Sequence, residues 1–122
     1  MNYIAFDFET SGLPSGRRNI KVTPETVKNF DSCRAVSLSA ARFSSRGRLI
    51  KTFDALIRPD DFTIGPDSTA IHGITHERAV REGRPFSEVF WEFMDFVGPR
   101  TKTLVAHNAR QPDQLTPVHR YL

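Results

Sequence analysis

The chain has a single cysteine, Cys33, among its 122 residues. One thiol excludes an internal disulfide framework, and it leaves no Cys/His pattern of the zinc-site kind. Cys33 reads as a small, partly buried residue. No apolar run is long enough to cross a bilayer, and the N-terminus lacks the pattern of a secretory signal. These features predict a cytoplasmic or otherwise intracellular protein with no membrane partner. Internal repeats and low-complexity segments are also lacking. Charge of one sign is not in large excess: 17 Lys and Arg against 14 Asp and Glu give a net charge of +3. Arg17, Arg18, Lys21, Arg42, Arg46, Arg48, Lys51, Arg78, Arg81 and Arg84 are dispersed along the chain. They are compatible with a polyanionic partner but read first as solvated surface.

What remains is an ordinary globular composition, 39% hydrophobic and 25% charged, sized for one domain. The most informative feature is Asp7-Phe8-Glu9-Thr10. It closes an apolar run, Tyr3-Ile4-Ala5-Phe6, that reads as a short buried strand. Residues i and i+2 of a strand share a side, so Asp7 and Glu9 project together. Unpaired charges at the end of a buried strand are costly unless something cationic neutralises them. A divalent metal is one candidate; a salt-bridged pair is the bland alternative.

Ser11 to Gly16 is a loop by composition, continued to about Asp31, with a helical turn after Thr23-Pro24. Ala35 to Phe43 alternates as a strand. Ser44 to Gly47 is a turn, and Leu49 to Ile57 alternates again, completing a hairpin. Pro66 to Ile71 predicts a short helix broken at Gly73, and Thr75 caps a helix over 77–82. Phe86 to Val97 is the strongest helix. Phe86, Val89, Phe90, Phe93 and Val97 fall on one face, and Trp91 and Phe96 widen it, which predicts a well-buried helix. Thr103 to Ala106 is a short strand. Strands first, helices afterwards and a parallel strand returning predict an α/β or α+β domain.

Asp7-Phe8-Glu9-Thr10-Ser11-Gly12-Leu13 resembles the first motif of the DEDDh 3′–5′ exonucleases, the family of the polymerase epsilon subunit and RNase T. Three further segments agree in order and spacing: Leu56-Ile57-Arg58-Pro59, Ala70-Ile71-His72-Gly73-Ile74-Thr75, and Leu104-Val105-Ala106-His107-Asn108-Ala109. The resemblance covers residues 1 to about 110. It implies a ribonuclease-H-like α/β fold, a mixed sheet with flanking helices. It further implies hydrolysis of phosphodiester bonds at DNA or RNA 3′ ends, with two Mg²⁺ or Mn²⁺ ions. Asp7 and Glu9 would be metal ligands and catalytic residues. Thr10 and Leu13 would lie against the terminal nucleotide. His72, otherwise a core or helix-end histidine, would be near the substrate. His107 and Asn108 would also contact substrate, with Asn108 equally readable as a helix cap. His72 and His76 stand four residues apart, but Gly73 interrupts the helix that a zinc pair would need.

The resemblance then breaks. The family's second motif runs His-Asn-Ala-x-Phe-Asp, whereas this chain reads His107-Asn108-Ala109-Arg110-Gln111-Pro112-Asp113. Pro112 occupies the aspartate position. Asp113 is one residue late, a turn of about 100° on a helix, and is the remaining candidate metal ligand. His119 is followed by no aspartate at the third motif's spacing. These departures predict an exonuclease-like domain over residues 1–109 and a divergent tail over 110–122. They also predict a C-terminally truncated family member that lacks the last strand and closing helix. Activity is then expected to be weak or absent, with a partner chain as one way to complete the domain. A non-catalytic nucleic-acid-binding or scaffold module on the same fold is the alternative.

Overall fold

The computed structural model describes residues 2–12, 23–30, 32–101 and 103–106. Its strands are β1 (Tyr3–Thr10), β2 (Ala35–Phe43), β3 (Leu49–Leu56) and β4 (Thr103–Ala106). Its α-helices are α1 (Pro66–His72), α2 (His76–Glu82) and α3 (Phe86–Val97), and a 3₁₀ turn covers Val27–Phe30. The strands form one mixed sheet in the order β3-β2-β1-β4. β1–β2 and β2–β3 are antiparallel, while β4 returns parallel to β1. No helix of the described residues is long and apolar enough to cross a membrane.

Alternation along the strands decides which face is covered. Phe6, Ala40 and Phe53 stand abreast on β1, β2 and β3, and all belong to the main core or pack against it. The core lies between this face and α3. The Phe6 ring sits 5.9 Å from Phe93, Phe53 lies 5.9 Å from Phe93 and 5.6 Å from Phe96, centroid to centroid. A smaller cluster, Val36, Ile64, Ile74 and Ala79, pins α1 and α2 to β2.

Local chemistry sets the helix ends. Thr75 caps α2, its hydroxyl accepting the Arg78 amide at 3.1 Å. Gly73 ends α1 in the left-handed region, at φ 79, where a side chain would be strained. Gly98 ends α3, and the Arg42 guanidinium covers the exposed carbonyls there, donating to the carbonyls of Phe96 and Val97.

β1 carries the acidic pair within the strand, as expected, and continues to Thr10, with Asp7 and Glu9 opposite Ser39 and Ser37 of β2. Two expectations are corrected. β1 is not fully buried, since Tyr3 and Ala5 face the side that α3 does not cover and are only partly buried. The buried face of α3 is also rotated from the expected one. Val89, Phe93, Phe96 and Val97 are buried, whereas Phe86 is 49% and Trp91 68% exposed. Trp91 lies two residues from Phe93, about 200° round the helix, so it cannot share the sheet contact. Phe86 instead stacks on Phe90, at 6.0 Å.

Candidate active site

The acidic pair is built by β1 itself. Alternation carries Ile4, Phe6 and Phe8 toward α3 and turns Asp7 and Glu9 to the opposite face. Both carboxylate residues are half-buried. The register shifts between Glu9 and Thr10, a bulge of the kind that re-aims a strand beside a site. Ser37 and Ser39 of β2 lie directly opposite Glu9 and Asp7 on the same face. Ser39 donates to the Asp54 carboxylate of β3 at 2.7 Å. Asp54 is thus on the face of Asp7, but two strands away, about 10 Å.

The chain leaves β1 through a tightly held corner. Ser11 donates its amide to the Arg34 carbonyl at 2.8 Å and its hydroxyl to the Ser32 carbonyl at 3.0 Å. The same hydroxyl accepts the Arg34 amide at 3.1 Å. At Gly12 an added Cβ would stand 2.9 Å from the Ser32 carbonyl oxygen, so the close backbone approach requires glycine. Ser68 of α1 donates to the Ser11 carbonyl, fastening the helix to this corner.

The candidate residues are distributed as follows. Asp7, Glu9 and Thr10 are together on β1. The Thr10 hydroxyl donates to the Gly12 carbonyl at 3.1 Å and contacts the Cys33 thiol. Burial pushes that thiol up from its ordinary pKa, and the Thr10 contact opposes the shift. His72 ends α1, one turn beyond Ser68 and on the same helix face. Its Nδ1 accepts the Ile74 amide at 3.0 Å, and its buried Nε2 has no hydrogen-bond partner. His76 opens α2, across Gly73, and its Nδ1 accepts the Ile64 amide at 3.2 Å. Leu13, His107, Asn108 and Asp113 lie outside the described residues.

Hard carboxylate oxygens suit a divalent cation, and Asp7 and Glu9 present two on one face. Among the described residues no group of three His, Cys, Asp or Glu converges on one point. Among the described residues the chemistry present therefore fits a cation through two side chains, Asp7 and Glu9. Ser37, Ser39 and Ser68 were not singled out from sequence. Pairing the serines of Ala35–Phe43 against the opening strand would have found the first two, since alternation puts them opposite the acids. Ser68 carries no such signal.

Several basic residues are held by surface pairing. Arg34 meets Asp61 at 2.7 Å and Arg78 meets Glu82 at 3.1 Å. Hydrogen bonds from Arg58 and Arg84 hold Asp60 and Glu92 below the usual carboxylate range. These pairs agree with the reading of the dispersed charge as surface.

A family model described as an exonuclease, of the RNase T type, matches residues 4–114. The chain belongs to this exonuclease family. Its fold agrees with solved exonuclease I structures. One, whose subject is how exonuclease I achieves processivity, is similar at a TM-score of 0.65 and 24% identity, covering 98% of this chain and 24% of that one. E. coli exonuclease I in complex with a dT13 oligonucleotide matches at 0.64 and 23% identity, over 98% of this chain and 23% of the other. The metal-free E. coli exonuclease I–single-stranded DNA complex matches at 0.64 and 20% identity, over 88% of this chain and 21% of the other. This exonuclease-family chain spans about a quarter of the length of those proteins. No curated protein matches its sequence.

Proposed function

We propose that this exonuclease-family domain engages the 3′ end of single-stranded DNA beside a divalent cation held by Asp7 and Glu9. The observation that carries the reading is the pair of carboxylates turned to one face of β1 at the bulge. Bound there, a divalent cation would supply acidification of an attacking water or stabilisation of a leaving oxygen in an in-line displacement. Asp7 and Glu9 contribute the negative oxygens that hold it, and β2 fixes their register. The Ser11–Gly12 corner, tied to Ser32 and Arg34, holds the backbone that follows Thr10. Thr10 would meet the terminal nucleotide, as would Leu13, which lies outside the described residues. His107 and Asn108 would meet substrate from the end of β4, and Asp113 is the remaining candidate for a third ligand. The DNA preference is drawn from the exonuclease I complex with an oligonucleotide.

Turnover by these residues is expected to be weak. Pro112 stands where the second motif has an aspartate, and losing one member of a catalytic unit costs orders of magnitude in rate. The test is calorimetric titration with Mn²⁺ together with release of label from 3′-labelled single-stranded DNA and RNA. The reading expects Mn²⁺ binding that Asp7→Asn abolishes, retention of DNA and little label released. Vigorous release abolished by Asp7→Ala would overturn the weak-turnover part. Failure to bind either Mn²⁺ or DNA would overturn the function itself, and a preference for RNA would overturn the choice of substrate.

A further inference from the structure

Most arginines of the described residues are already engaged. Arg34, Arg58, Arg78, Arg81 and Arg84 each meet a carboxylate, and Arg42 donates to the carbonyls that end α3. Arg46, Arg48 and Lys51 differ: none forms an ion pair with a described residue. All three are exposed on the hairpin that joins β2 to β3. Residues 32–53 contain no Asp or Glu, so the hairpin carries no acid to neutralise them. The next acid along the chain is Asp54. It lies three strand residues beyond Lys51, hence on the other face, and its carboxylate accepts the Ser39 hydroxyl at 2.7 Å.

The turn holds these residues in one arrangement. The Ser44 hydroxyl accepts the amides of Arg46 and Arg48 at 3.3 and 3.2 Å. The Ser44 amide donates to the Arg48 carbonyl, and the Gly47 amide to the Ser44 carbonyl, both at 2.9 Å. Gly47 stands at φ 81, a backbone conformation that glycine adopts without strain. Nothing lies within 4 Å of the position a Cβ would take there, so the tip stands clear of the domain. Beside the cations, Phe43 lies opposite Leu49 across a bulge and stacks on Tyr3 at 5.2 Å. Leu49 and Ile50 are 54% and 52% exposed.

Unpaired cations gain by meeting phosphates, because no existing ion pair is broken and counterions are released. Cations for phosphates next to apolar and aromatic surface for bases is a combination that suits a single strand, whose bases are free to stack. Phe43 is four residues from Ser39, the residue opposite Asp7, so the turn begins about 13 Å along β2 from the acidic pair.

We propose that the tip of the β2–β3 hairpin is a second contact for single-stranded DNA, with Arg46, Arg48 and Lys51 meeting phosphates away from the acidic pair. It rests on the reading of single-stranded DNA as the ligand, and adds a site which that reading does not use.

The test is binding of a dT oligonucleotide of about twenty nucleotides to the full chain in EDTA, followed by fluorescence anisotropy between about 50 and about 200 mM salt. Each phosphate contact on a single strand contributes about 0.7 to the slope of log affinity against log salt. The Arg46→Gln, Arg48→Gln, Lys51→Gln variant should therefore lose about 2 from that slope and about tenfold or more in affinity at the lower salt. A control with the same change of net charge, Arg58→Gln, Arg78→Gln, Arg81→Gln, should keep most of both. An unchanged slope in the hairpin variant, or an equal loss in the control, would overturn the proposal, as would no binding by the unaltered chain. So would loss of binding to phosphatidylserine vesicles alone, with the DNA slope intact, which would assign the tip to a membrane surface. If the hairpin variant does not fold, side-chain nitrogen-15 signals of Arg46 and Arg48 in the unaltered chain decide: they must shift on adding the oligonucleotide, and unmoved signals would overturn the contact. Mn²⁺ titration of the hairpin variant should match the unaltered chain. Failure of the Asp7 and Glu9 cation site would thus leave the salt result standing.

Discussion

The Ser68 hydroxyl on α1 donates to the main-chain carbonyl of Ser11, two residues beyond Glu9. Ser68 is buried, and Ser11 is also bonded to Ser32 and Arg34. One helix, one strand exit and the segment leading into β2 therefore meet at a single residue. The acidic pair is positioned by long-range contacts as well as by the strand that carries it.

Removing that hydroxyl has a defined cost. Ser68→Ala deletes the donor and leaves the Ser11 carbonyl short of a partner, which should lower stability by about 1 kcal/mol. Urea unfolding should show a lower midpoint with an unchanged slope. The amides of Ser11 and Arg34 should exchange faster than those of α3. A midpoint equal to that of the unaltered chain would mean that the contact contributes nothing.

Arg42 predicts a failure of charge conservation. Its guanidinium donates to the Phe96 and Val97 carbonyls and, at 2.9 Å, to the Thr101 hydroxyl. It also stands over the Phe96 ring, 5.4 Å from the centroid. A lysine keeps the charge but not the planar fork that reaches several oxygens at once. Arg42→Lys should therefore cost about 1 to 2 kcal/mol, and Arg42→Met somewhat more, since hydrogen bonds to charged groups exceed neutral ones. Thermal unfolding of the three proteins gives the order, and a fully stable lysine variant would contradict the multidentate cap.

Cys33 should be a poor nucleophile. Burial raises its thiol pKa and the Thr10 contact only partly offsets this. The protonated form is thus favoured in the fold at neutral pH, and thiolate is the reacting species. The sign follows: the fold favours the neutral thiol, so this contribution is complete below the ordinary thiol range and is lost as pH rises through the raised value. Iodoacetamide should label Cys33 slowly near neutral pH and several-fold faster in urea. Rapid labelling of the folded chain would contradict the buried setting.

Much of the fold was legible because local and global signals agree. Ala35–Phe43 alternates on a sheet with one covered face, and it forms β2 over those residues. Phe86–Val97 has a stop at Gly98 and forms α3 over those residues. Thr103–Ala106 returns parallel to β1 as expected. What failed depends on a partner element. Period alone could not tell that one face of β1 would stay uncovered by α3, or which part of a broad aromatic stripe would meet the sheet. Of the candidate site, the shared face of Asp7 and Glu9 was legible from the strand pattern. The acceptor roles of His72 and His76 were not, because they depend on ring orientation toward amides that only the folded loops bring close.

The rotated face of α3 sets two aromatic residues of that helix, Trp91 and Phe93, two positions apart, against each other. Phe93 is 1% exposed and meets the rings of Phe6, Phe53 and Phe96. Phe93→Ala removes those contacts and leaves a cavity among rigid neighbours, a change that costs about 3 to 5 kcal/mol in well-packed cores. Trp91 is the larger side chain, but at 68% exposure it meets mainly solvent and the edge of Phe90, 5.8 Å away. Trp91→Ala should move stability by no more than about 0.5 kcal/mol. Read from the expected stripe, with Trp91 among the buried residues, the two losses would be comparable. Urea unfolding of both variants separates the readings, and a loss at Trp91 approaching that at Phe93 would mean that this tryptophan is covered in solution.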